Sequence, residues 1–434
     1  MRIKWTVAFI LLVIFAGQIV WGQPLQEPLT LEESIKIALE RNLRLHSAVV
    51  GVVGSEYRRK EAVTNFLPLW TGQYYYTRYN SPTTVGSSGL YSPTDRDVFN
   101  LSTSVQQPLF AGGSIYSNYR LEKFGVDISK TDVETVKRDI VLQVREGYFN
   151  ILRAEKFRNV AEQQVKQFEA QLEVTKAFFE VGIVPKNDVL QAEVRLANAR
   201  QALVRAENDL ALAKSSFNIL LRREINDPLN VVDILEYKPP TLRLEESIDE
   251  ALRQRPEIIS AGLKVEQAKE SVKIARSGFF PSISLLGNYG RTSNEIDLGG
   301  DLKSDRWTIQ ALASLTIFDW GKTAYKVGEN KVKATQAEDS KIQLVEGIIL
   351  EVKQDYLNMQ TAEKNIGVAE KAIEQAEENL RMSEERYKYQ VATATDVLDA
   401  VTLLAQARVN YYGALSDFNV ARARLERAMG RMYP

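Results

Sequence analysis

The chain carries a long internal duplication. Leu31-Glu32-Glu33-Ser34-Ile35 recurs as Leu244-Glu245-Glu246-Ser247-Ile248, and Ala38-Leu39 matches Ala251-Leu252 at the same offset. Leu67-Pro68 then matches Phe280-Pro281. After a small change of offset, Phe110 and Gly113 match Phe318 and Gly321, and Val144, Tyr148 and Asn150 match Val352, Tyr356 and Asn358. The correspondence continues through Asp188-Val189-Leu190 with Asp396-Val397-Leu398, and ends with Ala199-Arg200 against Ala407-Arg408. A unit of about 210 residues is far longer than a solenoid repeat, so two copies of one large unit fill nearly the whole mature chain. The expected partition is a first repeat at 23–226, a Pro-containing linker at 227–240 and a second repeat at 241–434.

Each unit reads helix, strand, loop, strand, long helix, turn, long helix. The first helix opens at Thr30, whose spacing to Glu33 suits a capping box, and is expected to run to about Asn65, ahead of Pro68. A Tyr-rich segment follows at 69–79, then a Pro/Gly/Ser-rich loop to about Asp97. In the next strand Phe99, Leu101, Thr103 and Val105 alternate with Asn100, Ser102, Ser104 and Gln106. The second unit repeats the pattern with Trp307, Ile309, Ala311, Ala313, Leu315 and Ile317. The change of offset falls between the paired strands, where a loop tolerates insertion. Residues 114–179 contain no proline and are dominated by strong helix formers. As one helix that span is roughly 100 Å long. A turn at 181–185 leads to a second helix ending near Leu221, and the second unit repeats this at 323–389 and 396–429.

Composition removes much chemistry. There is no cysteine and a single histidine, His46, so thiol catalysis, disulfides and a multi-His metal site within one chain are excluded. His46, on the first helix, reads as a structural or surface residue. A net charge of −1 gives no general attraction to nucleic acid. Arg2 and Lys4 precede an apolar run from Trp5 to Val20, and the small residue Gly22 precedes Gln23-Pro24. That layout predicts an export signal at 1–22, cleaved after Gly22. No later stretch is apolar enough to span a membrane as a helix, so insertion would have to be by strands.

A strand with one apolar and one polar face can separate lipid from water in a closed barrel, but single-chain barrels begin at about eight strands. This chain offers about four, which alone leave two open edges that lipid cannot satisfy. Association of copies is the remedy. Tyr74, Tyr75, Tyr76, Tyr79, Tyr289 and Trp307 favour the membrane reading over a small soluble sandwich.

The unit, over roughly residues 31–430, resembles the TolC family of outer-membrane efflux proteins. The resemblance rests on Gln107-Pro108-Leu109-Phe110-Ala111-Gly112-Gly113 at a strand-to-helix junction, Val181-Gly182-Ile183 at the first helical turn, and Asp396-Val397-Leu398-Asp399-Ala400 after the second. It implies a mixed α and β fold: a homotrimer whose twelve-stranded barrel crosses the outer membrane and continues as a twelve-helix periplasmic barrel. It also implies a periplasmic adaptor and an inner-membrane transporter as partners, with no catalysis and no cofactor.

Asp396 and Asp399 lie three residues apart at a helix start, where carboxylates suit capping and the helix dipole. Asp396 has a counterpart, Asp188, whereas Asp399 has Gln191. TolC-like channels place aspartates at matching positions in their periplasmic constriction, so the resemblance makes both candidate pore residues. It further implies that Tyr387 pairs with Asp188 to hold the tip closed, although Ala392 stands where some members have a basic residue. The turns Val181-Gly182-Ile183 and Tyr389-Gln390-Val391 would meet the adaptor, the second without the usual glycine. Gly321-Lys322-Thr323 superficially suggests a phosphate loop, but the required first glycine is Thr316. The leading expectation is a passive exit duct of a tripartite efflux or type I secretion system, gated at its tip. The competing one is a soluble periplasmic helical scaffold.

Overall fold

The computed structural model describes residues 28–80, 96–239, 242–299 and 304–432, so the expected signal segment lies outside the described residues. The element order occurs twice. The first pass is α1 (Leu31–Arg41), α2 (Leu43–Thr64), β1 (Leu69–Arg78), β2 (Asp97–Ala111), α3 (Ser114–Glu180) and α4 (Lys186–Leu220). The second is α5 (Leu244–Gln254), α6 (Pro256–Arg276), β3 (Ser282–Ser293), β4 (Ser304–Ser314), α7 (Lys322–Lys388) and α8 (Ala394–Ala428).

Thr30 caps α1 as its spacing predicts: its Oγ1 accepts from the Glu33 amide, and the Glu33 carboxylate accepts from the Thr30 amide. The single helix expected to Asn65 is two helices. Asn42 is extended (φ −70°, ψ 123°), ending α1 and capping α2 with a side-chain oxygen that accepts from the Arg44 and Leu45 amides. Arg255 is likewise extended in the second unit (φ −70°, ψ 121°) and ends α5 without a side-chain cap, there because Pro256 follows. A residue before proline is driven out of the helical region, and proline itself suits a first turn.

The four strands form one antiparallel sheet in the order β1-β2-β3-β4, so the β2–β3 joint links the two units and β1 and β4 are edges. The two hairpins share one register. Leu69 faces Gln106, and their counterparts Ser282 and Ser314 face each other. The same ion pair closes both hairpins, Arg78 to Asp97 at 3.3 Å and Arg291 to Asp305 at 3.4 Å. Register and pleat together sort the side chains. One face carries Trp70, Tyr74, Tyr76, Phe99, Leu101, Val105, Tyr289, Trp307 and Ile309. The other carries Thr71, Gln73, Ser102, Ser104, Asn288, Arg306 and Thr308. The strand expected to reach Ile317 stops at Ser314, and Ile317 is 93% exposed.

Both strand-to-helix junctions turn through left-handed residues, Gly112-Gly113 in one unit and Trp320-Gly321 in the other. At the second, the Asp319 carboxylate accepts from the Gly321 and Thr323 amides, 3.1 and 2.8 Å away. A carboxylate thus occupies the position a phosphate would need, and the superficial phosphate loop is a helix cap.

α3 and α7 are 67 residues each, about 100 Å at 1.5 Å per residue. They fold back as α4 and α8. α8 packs against both α3 and α7, whereas α4 packs mainly against α3 alone. Equivalent positions in the two units therefore differ in burial: Leu398 on α8 is 1% exposed and Leu190 on α4 is 48%. Phe149 and Val160 on α3 are 4% and 5% exposed, but Leu357 and Val368 on α7 are 48% and 70%.

Midway along the helices the linker folds onto the bundle. Leu29 and Val231 form a parallel bridge, and the buried Tyr148 hydroxyl donates to the carbonyls of Leu29 and Val232. Burial pushes that phenol up to about 12. Nearby, the Arg427 guanidinium joins Asp139 of α3 (2.7 Å), Glu257 of α6 (3.0 Å) and Glu351 of α7 (3.2 Å).

Candidate channel constriction

At the ends of the long hairpins farthest from the sheet, both turns have one geometry. The Ile183 amide donates to the Phe178 carbonyl at 2.8 Å, and the Val391 amide to the Arg386 carbonyl at 2.9 Å. This six-to-one bond closes a helix through a left-handed residue. Gly182 fills that position at φ 78° and Gln390 at φ 60°. A Cβ on Gly182 would meet nothing within 4 Å, so its glycine answers to conformation and not to crowding. Val181, Ile183, Tyr389 and Val391 are exposed around the two tips.

The sequence difference after the turns has a structural meaning. Thr393 caps α8, and the Asp396 carboxylate accepts from its amide and its hydroxyl, both at 2.8 Å. Those bonds, the backbone one first, hold Asp396 below the usual carboxylate range. In the first unit Pro185 precedes the helix and offers no side-chain cap. Asp188, the counterpart of Asp396, is therefore not engaged in a capping box.

Tyr387 is buried, with its ring against Phe178 and its hydroxyl donating to Thr175 Oγ1 at 3.3 Å. The expected hydroxyl partner was Asp188; within the chain the bond goes to Thr175. Asp188 is near enough to add, after burial, to the upward pull on the phenol's pKa.

Asp399 accepts from Arg195 Nη2 at 2.8 Å, and one turn away Thr395 Oγ1 donates to Gln191 Oε1 at 3.0 Å. These two bonds join α8 to α4 across the tip. Reading the sequence singled out Asp399 but missed Arg195. The available signal was asymmetry, since Arg195 has Leu403 as its counterpart just as Asp399 has Gln191. Among the described residues there is no cluster of three or more His, Cys, Asp or Glu able to hold a metal ion. Also among them, no helix is long and apolar enough to cross a membrane.

An amphipathic sheet at one end of two long helical hairpins, with carboxylates at the other, is the arrangement of a channel-type protein. The profile of the outer membrane efflux protein family matches residues 34–218 and 247–431, once per unit. The chain belongs to that family and is an outer-membrane protein. It is similar to the outer membrane protein TolC of Vibrio cholerae, 24% identical over 79% of this chain and 78% of that protein. It is also similar to the outer membrane efflux protein BepC of Brucella suis, 22% identical over 97% of this chain and 89% of the relative. The crystal structure of the Campylobacter jejuni CmeC outer membrane channel shares the fold, with a TM-score of 0.79 and 21% identity over 92% of this chain and 85% of that one.

Proposed function

We propose that this outer-membrane efflux protein is the passive exit duct of a tripartite efflux or type I secretion system, assembled as a homotrimer and opened at its periplasmic tip. The observation that carries the reading is the four-stranded sheet with one apolar face, one polar face and two open edges. Open edges are not tolerated in lipid, and a ring of copies removes them. Three copies, as the resemblance implies, supply twelve strands and twelve long helix segments.

The helices support the same closure. α8 lies between α3 and α7, and α4 is its counterpart in the first unit. Placing α4 of one copy against α7 of the next would cover Leu190, Leu357 and Val368 as Leu398, Phe149 and Val160 are covered within the chain. Such a contact is heterologous and closes a ring when the rotation allows.

In this reading Asp396 and Asp399 line the constriction, Tyr387 and Asp188 belong to the latch, and the exposed turns Val181-Gly182-Ile183 and Tyr389-Gln390-Val391 dock a periplasmic adaptor. An inner-membrane transporter supplies the energy and selects the substrate. The duct performs no catalysis. A soluble scaffold would leave Trp70, Trp307 and Ile309 in water on one face, and family membership does not favour it.

The test is fractionation of the full-length protein in a Gram-negative host, followed by mass determination of the detergent-extracted species. An outer-membrane trimer beginning near Gln23 supports the duct. A periplasmic monomer that needs no detergent overturns it.

A further inference from the structure

The two units end in the same turn but are finished differently. α4 closes on a bond from the Arg223 amide to the Asn218 carbonyl at 2.8 Å, and α8 on one from the Arg431 amide to the Glu426 carbonyl at 3.0 Å. This is again the six-to-one bond that ends a helix through a left-handed residue. Arg222 fills that position in the first unit at φ 58°, and Gly430 fills it in the second at φ 79°. Each turn stands beside the short helix that opens its own unit, α1 or α5.

In the second unit the joint is closed and neutral. A Cβ on Gly430 would stand 3.0 Å from the carbonyl carbon of Gln254, so the glycine leaves no room beside α5. Glu250 of α5 takes Arg431 through two parallel bonds, both 2.7 Å. That fork is the geometry in which guanidinium and carboxylate match best.

The first unit changes the residue at three of the four positions. Arg222 replaces Gly430, Ile37 replaces Glu250 and Arg41 replaces Gln254, while Arg223 keeps the place of Arg431. There the joint is open, with a cavity of about 590 Å³ lined by all four residues. Leu29 and Leu229 complete an apolar floor with Ile37, and Leu229 is buried. Arg223 has Asp227 of its own turn at 3.4 Å where Arg431 has a carboxylate from the short helix. Among the described residues, the Arg41 and Arg222 side chains have no ion-pair partner. With Glu224 counted beside Asp227, three arginines stand against two carboxylates. The residue that would have balanced them in this fold is the one replaced by isoleucine. Hydrocarbon below and guanidinium above suit a carboxylate carried on a partly apolar chain, and not a bare inorganic anion.

We propose that this pocket binds a short acidic peptide segment of a periplasmic partner. Its Asp or Glu carboxylate takes the place beside Arg223 that Glu250 fills beside Arg431, flanked by Arg41 and Arg222. An adjoining apolar side chain rests on Leu29, Ile37 and Leu229. That the partner is periplasmic rests on the duct reading. The pocket itself is complete within one copy, so its failure would leave trimer and membrane insertion untouched.

The test is equilibrium dialysis of a tritiated, end-blocked peptide of alternating leucine and glutamate against the detergent-extracted full-length protein. A leucine–glutamine peptide and inorganic phosphate serve as comparisons. Arg41→Gln and Arg222→Gly each install the residue that the second unit already folds with, and the latter also relieves a left-handed non-glycine. Ile37→Glu returns the missing carboxylate to the chain. The glutamate peptide is expected to bind, and the glutamine peptide to bind about tenfold more weakly or worse. Arg41→Gln and Arg222→Gly should each raise the dissociation constant about tenfold, and Ile37→Glu should abolish binding by occupying the site. Absence of binding to the parent protein overturns the proposal. So does equal binding of the two peptides, or an affinity that both arginine variants leave unchanged. Phosphate displacing the peptide at the peptide's own concentration would make this a general anion site and overturn it likewise.

Discussion

Asp399 on α8 and Arg195 on α4 meet at 2.8 Å across the tip, and neither residue has its like in the other repeat. The carboxylate proposed to line the constriction is thus matched by a cation from the neighbouring hairpin. In the proposed constriction Asp396 is held by its own helix cap, whereas Asp399 is held by Arg195 of the neighbouring hairpin.

Asp399→Ala is expected to raise the concentration of multivalent cation needed to block the channel by about tenfold, or ~1.4 kcal/mol. Arg195→Gln leaves Asp399 unpaired and is expected to move block and cation selectivity the opposite way. Single-channel recording of both variants checks the pair. Identical conductance and block in all three proteins would remove Asp399 from the pore. Thermal stability changes little in either variant, because an exposed ion pair contributes about 1 kcal/mol at most.

Gly182→Val forces a β-branched residue to φ 78°, a strain of about 1–2 kcal/mol confined to the tip. Export dependent on the adaptor is expected to fall while the trimer still assembles. The converse change, Gln390→Gly, relieves a left-handed non-glycine and is expected to stabilise the chain by about 1 kcal/mol. Denaturant melting of the extracted protein reads the second, and an export assay with size determination reads the first.

Asp355 on α7 is held up at about 6, chiefly by burial and secondarily by Glu351, against the opposing pull of Arg424, Arg427 and Arg255. A carboxyl with a raised folded-state pKa binds more protons folded than unfolded. Its contribution to stability therefore falls as pH rises from about 4 to about 6. Asp355→Asn is expected to raise the melting temperature at pH 7.5, with the gain shrinking as pH drops through that window. A gain that does not vary with pH would show that Asp355 titrates normally.

Arg427→Ala removes one guanidinium from three carboxylates on three different helices. Each carboxylate keeps a second arginine, Arg44 for Asp139 and Arg255 for Glu257 and Glu351, so the expected cost is that of lost charged hydrogen bonds, about 1.5–3 kcal/mol. The loss should appear in denaturant melting, and replacing Asp139 with Asn in the same chain should recover part of it.

Long helices, paired strands and the two turns were legible because period, proline and glycine report on local backbone, and the duplication allowed each unit to check the other. Three things were not legible, for different physical reasons. The break at Asn42 is a one-residue excursion inside a continuous helical pattern, and only its counterpart's Pro256 signals it. The end of β4 at Ser314 depends on who its neighbour is, which no local pattern encodes. Arg195 meets Asp399 through the packing of two helices whose residues are 204 positions apart.

The two hairpins end in the same ion pair, but Arg78 and Asp97 are separated by five more residues than Arg291 and Asp305. The wall below those pairs repeats with each unit, whereas the connections above them do not. In a ring of three copies the rim therefore alternates three long segments with three short ones. Any partner gripping that rim would find three equivalent footholds on a wall that repeats six times.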